Sequence, residues 1–377
     1  MDEGRGIGLR NQGHYIPILK GRLGEFNALR RMPPELKDAY TPLIEIAPTG
    51  DETNDDGEVT AEGLEVSLTK SIDRLGRYWP TSRDCIVDTH GLPDLPNYNA
   101  MAKVVEAFAQ DGNQVIPTIR PSDPADIIDG VSAALTKYNY RDICLRLAGE
   151  DLDDGDEPID IMIEGLLRRL QVEPGDVDVV IDFGSLRDEQ SASFAARIAR
   201  LIIMDLPDLD RWKSVTLAAG GFPSALDTVP PEVLTDIPRW ELTMWRAVRD
   251  RLRDKLRVPS FGDYAIAYPV QATGVAFAPA PQIRYTAGDN WLILKGRKTS
   301  RRGSAQFVDI CGEIVAHPEF TRGLSWGDEQ IEEKARFADV DPLPDEAKPG
   351  NAMIWRAIGT SHHLSLVIEK LSTAGEP

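Results

Sequence analysis

Residues 115–148 read VIPTIRPSDPADIIDGVSAALTKYNYRDICLRLA. Two short runs rich in Ile, Val and Leu, Val115–Arg120 and Ile143–Ala148, flank an amphipathic segment at Ala125–Lys137. Ser122-Asp123-Pro124 offers short side-chain oxygens that can cap free amides where that segment begins. Five- or six-residue apolar runs without polar alternation suit strands covered on both faces. The stretch therefore reads as one strand–helix–strand unit of a parallel sheet.

The pattern continues in both directions. Further strands are expected at Tyr15–Lys20, Pro42–Ala47, Cys85–His90, Val179–Gly184, Val215–Gly220 and Tyr264–Tyr268. Helical patterns lie between them at Leu64–Trp79, Tyr98–Gln110, Ile159–Leu170, Ala192–Met204 and Trp240–Leu256. Proline and glycine mark the joins, as at Pro33-Pro34, Pro80, Pro174-Gly175 and Pro230-Pro231. Eight strands alternating with helices over about 260 residues predict a (β/α)8 TIM-barrel-like α/β domain spanning 1–270. The alternative is a doubly wound open sheet. Its Gly-rich turn after the first strand is poorly matched by Lys20-Gly21-Arg22-Leu23-Gly24.

After residue 270 the texture changes. Gln282–Gly296 reads as a hairpin turning across Ala287-Gly-Asp-Asn290, and a helix is expected at Ala305–His317. Residues 326–352 are polar, with loop in at least their second half, and a final segment covers Ala352–Leu371. Residues 271–377 are therefore expected to form a C-terminal extension, a β-hairpin with helices, packed on or completing the barrel.

Charge limits the partners. With 61 acidic against 42 basic side chains, the net charge is −19. Such a surface repels nucleic acid and anionic membrane at long range, so contact needs a local basic patch. The candidate is the loop carrying Lys295, Arg297, Lys298, Arg301 and Arg302, which gives a third and weaker reading as a nucleic-acid effector. Two acidic runs, Asp51–Glu58 and Glu150–Glu157, read as solvated loops. The second lacks both the spacing and the closing Glu of a calcium loop. Cys85, Cys144 and Cys311 are far apart, two of them in apolar runs, and read as buried reduced thiols. No stretch approaches a membrane span and the N-terminus has no apolar signal core, so a cytoplasmic location without membrane contact is expected.

The chemistry is read from the strand ends. Lys20 closes the first strand and Glu45 lies near the end of the second. Asp88 and His90 end the third, Arg120 the fourth, with Arg146 and Asp182 near the ends of the fifth and sixth. Side chains two apart in a strand share a face, so each run is apolar at its start and ionisable at its finish on the same face. In a barrel this places a charged ring at the C-terminal mouth, where sites of this fold are built. Lys20, Arg120 and Arg146 then form a cationic wall for a phosphate- or carboxylate-bearing ligand. Glu45, Asp88, His90 and Asp182 are the candidate acid–base groups, or holders of a divalent metal. Arg284 and Tyr285 join the ligand-binding set if the hairpin folds back over the mouth. The competing view has the charges neutralising one another, Lys20 with Glu45, Arg120 with Asp88 and Arg146 with Asp182.

Three stretches stand out: Tyr15-Ile-Pro-Ile-Leu-Lys-Gly-Arg-Leu-Gly-Glu25, Thr41-Pro-Leu-Ile-Glu-Ile46 and Gly262-Asp-Tyr264. To these are added Ile283-Arg-Tyr-Thr286 with Trp291, and Trp355-Arg356 with Ser361-His362-His363. Together these pieces resemble the "beta protein" family of phages and bacterial mobile or defence-like loci. The resemblance implies a barrel-like fold and a phage- or antiviral-defence-associated context, and carries no reaction with it. Two functional readings follow: a small-ligand protein, hydrolase or lyase if an enzyme, or a non-catalytic module that binds a protein partner in such an assembly.

Overall fold

The computed structural model describes residues 10, 13–54, 56–80, 82–152, 158–252, 256–270 and 280–377. The first half runs β1 (Ile16–Leu19), α1 (Leu23–Arg30), β2 (Leu43–Glu45), α2 (Ala61–Tyr78), β3 (Ile86–Asp88), α3 (Ala100–Gln110), β4 (Ile116–Ile119), α4 (Ala125–Tyr138) and β5 (Ile143–Ala148). It continues through α5 (Ile159–Leu170), β6 (Val177–Ser185), α6 (Glu189–Asp205), β7 (Ser214–Gly220), β8 (Thr235–Pro238), α7 (Trp240–Leu252) and β9 (Ser260–Asp263). The remainder is β10 (Gln282–Ala287), β11 (Asn290–Lys295), α8 (Gln306–Ala316), α9 (Trp326–Ala335) and α10 (Ala352–Ala374).

Strands β1 to β7 and β9 pair in parallel and close into an eight-stranded barrel, β9 bonding both β7 and β1. The interior follows from the period of two. Ile16, Ile18, Leu43, Ile86, Ile116, Cys144, Val180 and Ala218 pack together inside. Alternate residues such as Leu19, Ile44, Val87, Ile119 and Leu145 face the helices. Both ends of this apolar plug are polar. At the N-terminal end Asp178 accepts from Arg10 Nε at 2.8 Å and from Ser214 Oγ at 2.5 Å. At the other end lies the ring of ionisable side chains.

The eighth strand corrects the sequence reading. It is Ser260–Asp263, and Tyr264–Tyr268 is a turn beyond it. Asp263 Oδ1 accepts the amide of Ala265 at 2.9 Å, and Ala265 takes a left-handed φ of 48°. The apolar alternation of Tyr-Ala-Ile-Ala-Tyr is thus bent out of the sheet. Gly262 allows the closure: a Cβ there would sit 3.0 Å from the Ile16 carbonyl oxygen and 2.9 Å from Thr216 Cγ2.

The ring of outer helices is completed from far along the chain. α10 packs against α1 on one side, and Glu376, just beyond its end, accepts from Arg249 of α7 at 2.7 Å on the other. Leu364, Val367, Ile368 and Leu371 of α10 belong to the layer between barrel and helices. The hairpin β10–β11 turns at Gly288-Asp289, and β8 adds to it as a third antiparallel strand. Helix α1 and strand β8 had no counterpart in the sequence reading. The expected helix to Leu256 is seen to Leu252, and residues 253–255 lie outside the described residues, as do 55 and 153–157 of the acidic runs. The 270/271 boundary borders residues 271–279, likewise outside them. All three cysteines are free and buried. Among the described residues no helix is long and apolar enough to cross a membrane.

Candidate functional site

Six strands deliver an inward-facing ionisable side chain from their C-terminal ends to one place, and Arg146 is its hub. Its Nη1 donates to Asp88 at 2.6 Å, and its Nη2 to Glu45 at 2.8 Å, to Asp182 at 2.6 Å and to Tyr264 Oη at 2.8 Å. Nε adds a second bond to Asp182 at 3.1 Å. Three carboxylates on three strands thus converge on one buried guanidinium, the planar donor suited to them. Lys20 bonds Glu45 and the Pro269 carbonyl, and its Nζ lies 4.7 Å from the centre of the Tyr264 ring. Tyr264 also donates to Asp182 at 2.6 Å.

His90 sits at the edge of this cluster. Its Nδ1 is 2.8 Å from Asp88 Oδ1 and its Nε2 is 2.7 Å from Asp123 Oδ1. Burial alone would lower the imidazole pKa, but the two flanking carboxylates outweigh it and push it up to about 9. Burial of Asp88 likewise opposes ionisation and is overcome by Arg146, His90 and Arg120, which hold its carboxyl well below the usual range. For Tyr264, burial and then the Asp182 carboxylate push the phenol well above its ordinary value. The Asp151 carboxyl is raised by burial and accepts the amides of Ser122 at 3.0 Å and Ala148 at 3.2 Å, tying together the loops after β4 and β5.

Arg120 is different. Its nearest carboxylate oxygen, on Asp88, is 3.9 Å from Nη2, and its Nε is buried with no hydrogen-bond partner. A buried donor left unpaired costs roughly 1–3 kcal/mol. Arg120, His90, Lys20, Arg146 and Tyr264 all border one open cavity of about 1690 Å³ above the barrel.

Of the residues singled out from sequence, Lys20, Glu45, Asp88, His90, Arg120, Arg146 and Asp182 are therefore brought together. Arg284 and Tyr285 are not. Arg284 donates to the Ile266 carbonyl at 2.8 Å and lies over the Phe222 ring. Tyr285 is buried on the far side of the hairpin, donating to Asp328 at 3.0 Å and stacking on His362. The hairpin turns this residue into its own core with α8 and α9, where its apolar body is covered. Nor do the carboxylates gather around a shared cation position: among the described residues no three His, Cys, Asp or Glu side chains are placed to hold a metal ion. They point at Arg146 instead. In the basic loop Arg297 pairs with Glu232 and Arg302 with Asp309, and Lys295 donates to the Leu226 carbonyl.

Sequence reading missed Tyr264 and Asp123 as members of the site. Asp123 was legible only as a helix-capping residue, and Tyr264 only as the start of a strand. A second buried network was also missed, though its members sit in the segments that carry the family resemblance. Tyr15 donates to Asp263 Oδ1, His363 Nε2 is 2.8 Å from Asp263 Oδ2, and His363 Nδ1 is 2.8 Å from Thr286 Oγ1. This network joins β1, β9, β10 and α10 on the outer wall of the barrel.

The family model described as Beta protein matches residues 15–369. The chain belongs to the Beta protein family. A search of curated proteins finds no match. Among solved structures, a trimodular GH5_4 subfamily endoglucanase is similar at a TM-score of 0.41 and 9% identity, over 70% of this chain and 57% of that one. The GH18 chitinase of the Flavobacterium johnsoniae chitin utilization locus gives 0.34 and 9%, over 96% and 94%. An HPPK-DHPS structure in complex with substrates gives 0.33 and 14%, over 68% and 49%. The chain thus spans little more than half the length of the endoglucanase. For this Beta protein family member the barrel assignment rests on its own closed strand order.

Proposed function

We propose that the barrel mouth binds an anionic group, phosphate or carboxylate, through Arg120. The observation that carries this is the contrast between two arginines in one cluster. Arg146 gives its donors to three carboxylates and a phenol, whereas Arg120 borders the cavity with one long contact, 3.9 Å to Asp88, and a buried Nε that has no partner. A bidentate oxyanion at the Arg120 guanidinium would replace the long contact to Asp88. His90, protonated at neutral pH, supplies a second positive charge nearby. In a hydrolase or lyase version of this reading, His90 is the proton donor, exchanging Asp123 for a substrate oxygen. Asp88 then stabilises its charge, and Glu45 and Asp182 fix Arg146. Residues 280–377 act as an extension that completes the outer ring of helices through α10.

A second reading is favoured by the Arg146 hub itself, which neutralises the ring internally: a non-catalytic interaction module with a protein partner. The family resemblance supports a phage-related or anti-phage setting for either reading.

A thermal-shift titration of the full chain with inorganic phosphate, nucleotides and sugar phosphates tests the proposal. At a hundred times its Kd a ligand stabilises the fold by about 2.7 kcal/mol. Arg120→Ala is expected to abolish that shift without lowering the stability of the free protein. Arg146→Ala is expected to destabilise by about 3–5 kcal/mol, because it strands buried carboxylates. No shift with any anion on the wild-type chain would move the assignment to the interaction module.

A further inference from the structure

The cavity at the mouth is larger than an anion needs. At about 1690 Å³ it exceeds the roughly 300–1,000 Å³ that small ligands occupy. Its extra space lies along α6, whose Phe194, Ile198, Leu201 and Met204 line the wall at helical spacing. Ten large apolar side chains are exposed among the described residues, and the four most exposed all line this cavity: Phe194 (64%), Val270 (61%), Met204 (60%) and Leu201 (55%). Scattered apolar residues on a surface need no explanation, but their concentration on the wall of one cavity does. From Phe194 to Met204 the helix rises about 15 Å. An apolar wall of that length runs on from a mouth bordered by Arg120, whose nearest carboxylate contact is a long 3.9 Å.

We propose that the ligand is an amphipathic anion, with its phosphate or carboxylate head at Arg120 and an alkyl or aryl tail laid along α6. This rests on the reading of Arg120 given above and names the ligand class of that site. Charge complementarity fixes the orientation. The head goes to the guanidinium, while burying the tail against Phe194 and Leu201 removes from water the surface that these residues now expose.

The test is isothermal titration of the full chain with inorganic phosphate and with n-alkyl phosphates from methyl to octyl. Affinity is expected to tighten by about fourfold per added methylene once the tail reaches α6. The double variant Phe194→Ser, Leu201→Ser, at exposed positions that folding does not need, should flatten that slope. Arg120→Ala should weaken the whole series at least tenfold while leaving the slope. If short and long phosphates bind equally, the anion site stands and the amphipathic ligand is ruled out. Failure of every member of the series, inorganic phosphate included, removes both. Octanol binding as tightly as octyl phosphate would overturn the anionic head. A dimer in sedimentation that the double variant converts to monomer would assign the α6 face to a second copy instead.

Discussion

Each ionisable residue at the mouth is defined by what its neighbours leave it free to do. His90 has both ring nitrogens within 2.8 Å of a carboxylate, so the fold selects the imidazolium. Its pKa of about 9 lies above the ordinary value near 6.5. A raised pKa means that the stabilisation is fully present below about pH 6.5 and is lost as pH rises through 9. The expected outcome is one histidine that remains protonated at pH 8 and titrates near 9, followed by ring carbon or nitrogen chemical shifts in NMR. Asp123→Asn should bring that titration down towards the ordinary range. A histidine already neutral at pH 7.5 would show that the Asp88 and Asp123 contacts are not made in solution.

Helix α10 completes the outer helix ring of a barrel that β9 has already closed, and glycine sets its fit against α1. A Cβ on Gly24 of α1 would lie 2.7 Å from the Met353 carbonyl oxygen and 2.9 Å from Arg356 Cβ on α10. In an exposed helix, replacing glycine by alanine gains up to about 1 kcal/mol. Here the added methyl meets backbone, so Gly24→Ala should instead destabilise by about 1–3 kcal/mol, read from urea unfolding. An equally stable or more stable variant would mean that the two helices do not pack this closely. Elements also show where sequence reading succeeds and where it fails. The strand ends were legible because a strand such as Ile86-Val-Asp88 carries its burial and its charge at fixed parity. The eighth strand was misplaced because Ser260-Phe-Gly-Asp263 has one large apolar residue, and its central glycine is required by contact rather than by hydrophobicity. Strand β8 was invisible because its partner, β11, is distant in sequence and its residues are half exposed. The hub role of Arg146 over Arg120 had no local signal. Both end apolar strands, and only the closed barrel decides which of them the carboxylates reach.

For the molecule as a whole, stability depends on buried charge, and one group should report on it. Glu241 is fully buried at the start of α7, accepting from Arg239 Nε at 3.0 Å and from the Gly221 amide at 3.1 Å. Burial pushes its carboxyl up to about 7, opposed by Arg239 and reinforced by Asp263. A carboxyl raised in the fold is fully stabilising below its unfolded value near 4.5, and that contribution is lost as pH rises through 7. Glu241→Gln retains an acceptor for both donors and cannot ionise. Ionisable groups outside the Arg239–Glu241–Asp263 cluster are common to both proteins and cancel in the comparison. The unfolding free energy of wild type minus that of Glu241→Gln should therefore fall by about 3 kcal/mol between pH 4.5 and 8, measured by denaturant unfolding at several pH values. A difference that stays flat would show that Arg239 fully compensates the buried carboxylate. One that rises with pH would show that the pair stabilises the charged form, making the Arg239–Glu241–Asp263 cluster a net source of stability at neutral pH.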